Sequence, residues 1–314
     1  VTAAPLPGGI AAGPTTAGRT TRFSTKRTRE AALAYLLVVP SLLVFAVFVF
    51  YPFFKNFQLG FYRTPPFPGL PKTWVGLDQY REVLTSREFR DSLWTTVVFA
   101  VMTVPAGIAL GLGLAVLAHQ RLRGIGIYRT IFSSTVATSV AVASVIFGTL
   151  FNPQVGLLPW LGINPQPAIL DNPNLALPAV AVTTIWQNLG LSFILMSSGL
   201  QNVPDEILEA ASVDGARPLT RFFRITVPLL SPTIFFAVVI GTIFAFQTFG
   251  QIDLLTQGGP LKRTNVLTYF IYTTLRKQNN DGKAAVLAIA LFFITLVLTL
   301  VQQRYLERRV HYAR

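Results

Sequence analysis

Residues 202–228 read NVPDEILEAASVDGARPLTRFFRITVP, a charged stretch held between two long apolar runs. Asn202 suits a helix cap and Pro204 a first turn, while Asp205, Glu206 and Glu209 bring negative charge to the positive end of the helix dipole. Ile207, Leu208 and Ala211 recur at helical spacing, so the stretch predicts a short helix with one apolar face. Gly215 supplies the backbone freedom to end or turn that helix, Arg217, Arg221 and Arg224 follow, and Pro228 marks the next segment. On composition alone this is a solvated loop helix between two membrane spans.

The flanking chain has the composition of a membrane protein. Of 314 residues, 52% are hydrophobic and 12% charged, outside the range of ordinary soluble domains. Six stretches carry no Asp, Glu, Lys or Arg: 31–54, 92–120, 130–170, 172–204, 225–252 and 284–303. Each can supply the roughly 20 apolar residues that cross a bilayer. The expected fold is all-α, a polytopic membrane protein with six transmembrane helices near 31–53, 92–118, 131–151, 177–200, 232–250 and 284–303. Residues 1–30, rich in Ala, Gly, Pro, Thr and basic side chains, are expected to be a disordered tail, 31–303 the transmembrane domain and 304–314 a second tail. The first apolar run is too long for a signal-peptide core and has no small-residue cleavage site after it, so it is expected to remain as a span.

Lys and Arg in the loops set the orientation. With the N-terminus inside, 15 of them fall on cytoplasmic segments against 11 outside, and Arg29, Arg121, Arg123, Arg304, Arg308 and Arg309 stand directly beside the spans. Both termini and the 202–228 loop are therefore expected in the cytoplasm. The net charge of +13 is spread over membrane loops rather than gathered on a soluble face, which argues against a nucleic-acid partner. There is no cysteine, and the only histidines are His119 and His311, so a metal site is not expected.

The outer loops are uneven. Residues 55–91 are Pro/Gly-rich at first and then amphipathic through Leu77, Tyr80 and Val83, which predicts a short helix on the outer surface. Residues 152–176 hold no basic side chain and carry Pro and Asn turn signals. Residues 251–283 contain QGGP at 257–260 and then an apolar segment at 266–272.

Glu209-Ala210-Ala211, three residues, Gly215, nine residues, Ile225 and then Pro228 resemble the EAA loop of ABC importer permeases, in which a Leu stands where this chain has Val227. The QGGP stretch, with Thr264 and Tyr272 downstream, looks like the matching outer loop of carbohydrate-type permeases. The tail VQQRYLERRVHY at 301–312 is similar to the A-type permeases of glycerol-3-phosphate or glycerophosphodiester importers. The resemblance runs from about residue 31 to the end. It implies a type I permease of a prokaryotic cell (inner or plasma) membrane, whose loop forms a coupling helix docked on a separate ATPase subunit. Carried over, the coupling residues are Glu209, Ala210, Ala211, Asp214, Gly215, Ile225 and Pro228. The implied partners are a second permease subunit, two ATPase subunits, an extracytoplasmic solute-binding protein and membrane lipid. ATP and Mg would sit on the ATPase subunits, since this chain has no phosphate-cradling GxxxxGK[ST] sequence, and no catalytic residue is expected in it.

Polar side chains at membrane depth are costly unless they face the bundle interior or a wet cavity. On that ground Gln187, Asn188 and Ser192 in the fourth span, and Gln247 and Thr248 in the fifth, are the candidates for the solute path, with Trp186 and Phe246 as stacking surfaces beside them; interhelical hydrogen bonding, or a lipid-facing position for the aromatics, is the alternative role. Ser133, Ser134, Thr135 and Thr138 read as packing residues. No Arg or Lys lies inside an expected span, although a phosphate would seek a basic lining. Either the partner permease supplies that charge, or the solute is a zwitterionic phosphodiester, or it is a neutral sugar. A secondary transporter or channel would need intramembrane ionisable groups as relays. A membrane enzyme would need acid, base or metal partners near Asp171, Asp253 or Asp281, and the sequence provides none.

Overall fold

The computed structural model describes residues 22–65, 70–120, 123–163 and 165–306, in two compact units, 1–55 and 56–314. Most of the expected N-terminal tail lies outside the described residues, as do Arg121, Arg308, Arg309 and His311.

The helix Arg22–Phe45 runs through a π-helical turn, Ala46–Phe50, into the helix Tyr51–Gly60, whose last five residues belong to the second unit. It begins earlier than the expected span, inside the predicted tail, because RFSTKRTRE holds no Gly or Pro and several good helix formers. Over Leu33–Gly60 it is long and apolar enough to cross a membrane, and its Leu36, Leu37 and Phe48 side chains are exposed.

The second unit supplies three more uninterrupted helices of that kind, Arg87–His119, Ala176–Gln201 and Asp281–Tyr305. Two further stretches reach span length only as bent pairs: Ile125–Ala137 with Val140–Leu150, at 104°, and Pro218–Leu229 with Ser231–Phe246, at 68°. With each pair counted as one span the total is six. The third span thus differs from the straight helix expected at 131–151. Thr138 leaves the helix, and the side chain of Ser139 accepts from the Val142 N–H at 3.2 Å, capping a new helix. The fifth span stops at Phe246, short of the expected 250, and a separate helix, Gly250–Leu255, follows the break.

Packing follows side-chain size. On Arg87–His119 the small residues Gly107, Gly111, Ala115 and Ala118 are buried and let Ala176–Gln201 approach closely, the usual solution where lipid removes the hydrophobic drive between helices. Phe99, Val180, Phe246, Ile252 and Tyr269 form one apolar cluster, and Ala115, Phe193, Met196, Leu200 and Leu230 another nearer the charged loop. Buried threonines between them are satisfied within their own helices: Thr96 donates to the Ser92 carbonyl at 2.8 Å, Thr103 to Phe99 at 2.8 Å and Thr184 to Val180 at 2.9 Å.

The end of the bundle opposite the 202–228 loop is tied by charge and by a small strand pair. Tyr62–Arg63 pairs antiparallel with Thr73–Trp74, the one departure from an all-α fold among the described residues. The expected surface helix is Asp78–Leu84, which buries Val83 while Leu77, its N-cap, stays exposed. Glu88 accepts from Lys262 at 3.2 Å and Lys283 at 3.3 Å, and Lys72 reaches Asp281 at 2.8 Å. In the QGGP loop Thr264, fully buried, donates to the Gly259 carbonyl at 2.6 Å and lies 2.7 Å from the Thr256 hydroxyl.

Candidate coupling and translocation site

The charged loop folds as a helix, Asp205–Val213, with Pro204 as its N-cap. The sequence suggested Asn202 as its cap, but Asn202 closes the preceding span helix, because three residues separate the two elements and the first of them takes the C-cap position. The helix ends in a Schellman motif. Gly215, at φ +75°, donates to the Ser212 carbonyl at 3.1 Å, and Ala216 donates to Ala211 at 3.0 Å. Leu208 and Ala211 face the bundle, where Leu208 packs on the cluster of Met196 and Leu200. Ile207 turns outward instead of joining them, 40% exposed, beside Val213 at 88%. Glu209, Ala210 and Asp214 are exposed as well, so the free face mixes carboxylates with apolar and small side chains. That composition suits docking rather than solvation.

After Gly215 the chain returns through Pro218–Arg221, a π-helical turn Phe222–Thr226 that contains Ile225, and Val227–Leu229. Arg221 donates to the Leu208 carbonyl at 3.4 Å, strapping the return segment to the loop helix. Ile225 and Pro228 are half-buried at the root of the fifth span. The loop helix therefore connects rigidly to the ends of the fourth and fifth spans.

The predicted path residues divide between two faces of the fourth span. Gln187 accepts the Gln251 amide at 2.6 Å and donates to the Thr138 carbonyl at 3.4 Å, so it joins the break in the third span to the helix that follows the break in the fifth. One turn on, the Gly190 N–H donates to the Thr135 hydroxyl at 2.7 Å. A Cβ at Gly190 would lie 2.6 Å from that oxygen and 2.8 Å from the Val136 nitrogen, so only glycine permits the contact. Trp186 packs edge-on against Phe147 of the third span at 5.4 Å. Asn188 and Ser192 point the other way, into a cavity of about 50 Å³ shared with Thr103, Thr184 and Gly241, which has room for water. Phe246 and Thr248 are buried, Thr248 donating to the Phe244 carbonyl at 3.1 Å, and Gln247 is exposed at the break.

Sequence reasoning passed over the break itself. Irregular backbone at membrane depth persists only where protein buries it or where it lines a wet cavity. Here Val136, Ala137 and Ser139 are exposed around it. Its signal was present in SSTVATS at 133–139, a run of hydroxyls with a cap residue inside an apolar stretch. Gln251 was set aside as the start of a loop, and the structure makes it the partner of Gln187.

Residues 83–312 match the family described as the binding-protein-dependent transport system inner membrane component. The chain belongs to this family of ABC importer permeases. The permease is 38% identical over 285 residues to the sn-glycerol-3-phosphate transport system permease protein UgpA of Agrobacterium fabrum, covering 89% of this chain and 96% of that one. It is 34% identical over 289 residues to the protein of the same name in Escherichia coli, covering 90% and 97%. In fold it is similar to a chain of the bacterial alginate ABC transporter solved with an alginate pentasaccharide-bound periplasmic protein, at TM-score 0.79 and 20% identity over 92% of this permease and 99% of that chain. The permease is thus a multi-pass inner-membrane subunit of a bacterial importer that works with a solute-binding protein and ATPase subunits. ATP binding belongs to those ATPase subunits, not to the permease.

Proposed function

We propose that this permease carries a glycerol phosphate or a glycerophosphodiester, together with a second, different permease chain that completes the path. The observation that supports the solute is the breadth of similarity to permeases named for sn-glycerol-3-phosphate, 34–38% identity over about nine-tenths of the chain. In this reading the exposed face of Asp205–Val213 docks on an ATPase subunit through Glu209, Ala210 and Asp214, while Ala211, buried on the opposite face, seats the helix against the bundle. Gly215, Ile225 and Pro228 hand its movement to the fifth span. Both chain termini are cytoplasmic, and two ATPase subunits carry ATP and Mg.

The path runs along the broken third span. Trp186 and Gln187 stand at that break, Gln247 is exposed at the break in the fifth span with Phe246 and Thr248 buried next to it, and Asn188 and Ser192 line the cavity on the other face of the fourth span. The two breaks give the bundle a place where backbone can rearrange without unsealing a whole helix.

A second reading, a neutral sugar importer, is supported by the uncharged lining of the cavity around Asn188 and Ser192. The test is ATPase activity of the complex purified through this chain, in lipid, with binding protein loaded with glycerol-3-phosphate, glycerophosphocholine or a disaccharide. Stimulation by either phosphate compound supports the first reading, stimulation by the disaccharide alone selects the second, and failure of any ATPase subunit to co-purify removes the coupling assignment.

A further inference from the structure

The third span contains a cation that its expected bounds left out. Arg129 lies within the helix Ile125–Ser134 and lines, with His119, Thr130, Ser197, Ser198 and Gln201, a recess of about 320 Å³ at the coupling-loop end of the bundle. Its Nε and Nη2 donate to the Ala118 carbonyl oxygen at 3.1 and 2.7 Å, which fixes the guanidinium at the C-terminal end of Arg87–His119. A guanidinium has five N–H donors. Among the described residues the rest have no acceptor and no carboxylate pairs with Arg129, whereas Arg63, Lys72, Lys262 and Lys283, at the opposite end of the bundle, have acidic partners.

The hydroxyls across the recess are equally uncommitted. Other span hydroxyls turn back on their own helix, as those of Thr103, Ser144, Thr183 and Thr242 do. Ser197, Ser198 and Gln201 make no side-chain hydrogen bond with any described residue. They also continue, at helical spacing, the side of the fourth span on which Gln187 and Gly190 meet the third. The recess therefore lies on the face of the broken span, between the break and the coupling loop. A forked cation held rigid by its own backbone acceptor, opposite free hydroxyl and amide donors, is the arrangement that recognises a tetrahedral oxyanion.

We propose that Arg129, Ser197, Ser198 and Gln201 form a phosphate-group subsite on the coupling-loop side of the path, engaged by the phosphate of the departing solute or by the same group of a lipid head. The solute as occupant rests on the function proposed above; the recess and its donors do not. The test uses the assembled, nucleotide-free complex in nanodiscs of digalactosyldiacylglycerol, a lipid without phosphate, with radiolabelled inorganic phosphate and sn-glycerol-3-phosphate as probes. Ser197→Ala/Ser198→Ala removes no hydrogen bond of the fold, and with Arg129→Gln it should weaken binding of both probes about tenfold or more. Unchanged affinity in the serine pair overturns the subsite, even if Arg129→Gln loses binding, because Arg129 also caps the second span. Adding phosphatidylglycerol to the discs separates the sources: competition with the probes assigns the site to a lipid phosphate as well, and absence of competition assigns it to solute. Stimulation of ATPase activity by loaded binding protein, measured in the same discs, reports the solute reading independently. Loss of probe binding in the variants without such stimulation keeps the subsite and discards the solute.

Discussion

Gln251 reaches Gln187 across two broken spans, its side-chain amide 2.6 Å from the Gln187 carbonyl oxygen. Gln251 is buried, so removing its acceptor leaves a donor without a partner, at a cost of about 1–3 kcal/mol. Gln187→Leu should therefore lower the unfolding temperature of the purified complex, and so should Gln251→Leu. The double variant should lose less than the sum of the two. Strict additivity in that cycle would mean that the pair does not act as a pair.

Gly190→Ala should destabilise the permease by about 1–3 kcal/mol, because its Cβ would press on the backbone nitrogen of Val136 as well as on the Thr135 hydroxyl. Gly113 lies on the second span with open space beside it, so Gly113→Ala should be neutral or stabilising by up to about 1 kcal/mol. Thermal unfolding of both variants in nanodiscs separates close packing from helix propensity. Equal behaviour would refute the contact.

The coupling loop can be tested by the ratio of ATP hydrolysed to solute imported. Gly215 sits at φ +75°, a region closed to proline, so Gly215→Pro should dislodge the loop helix. Glu209→Lys reverses a charge on its exposed face. Both variants should insert normally, and both should cut uptake while ATPase activity persists or falls free of solute control. Normal uptake in both would remove the docking role.

Thr264→Val should loosen the QGGP loop. The hydroxyl is buried between the Gly259 carbonyl and Thr256, and its loss leaves the carbonyl unsatisfied at about 1–3 kcal/mol. Amide exchange of residues 256–264 should speed up while that of the span Ala176–Gln201 stays unchanged. Unaltered exchange in the loop would show that the hydroxyl is not what orders it.

Charge-free length made the second, fourth and sixth spans legible to within a few residues, since burial in lipid and absence of charge are the same requirement. The loop helix was legible for a different reason: acidic residues at one end and Gly215 at the other fix it locally, without tertiary help. The breaks were not. A run such as SSTVATS is tolerable in a straight membrane helix, where each hydroxyl bonds its own backbone, and only Gln187 and Gly190 on a neighbouring helix make the bend preferable. The same holds for Arg129, which counts as a loop residue until the third span is seen to start at Ile125. Contacts between residues far apart in the chain, such as Gln187 with Gln251 and Gly190 with Thr135, are where local rules carry least.

The bond between the Gly190 N–H and Thr135 has a mechanical consequence. With no side chain between them, the first half of the third span is pinned to the fourth at a point beside the break. Sliding one against the other would drive that helix into a backbone it already touches, whereas turning about the point leaves the bond in place and strains the contacts away from it, those of Gln187 and of Trp186 with Phe147 among them. At that contact the two spans meet as leaves meet at a hinge pin, not as a piston meets its sleeve.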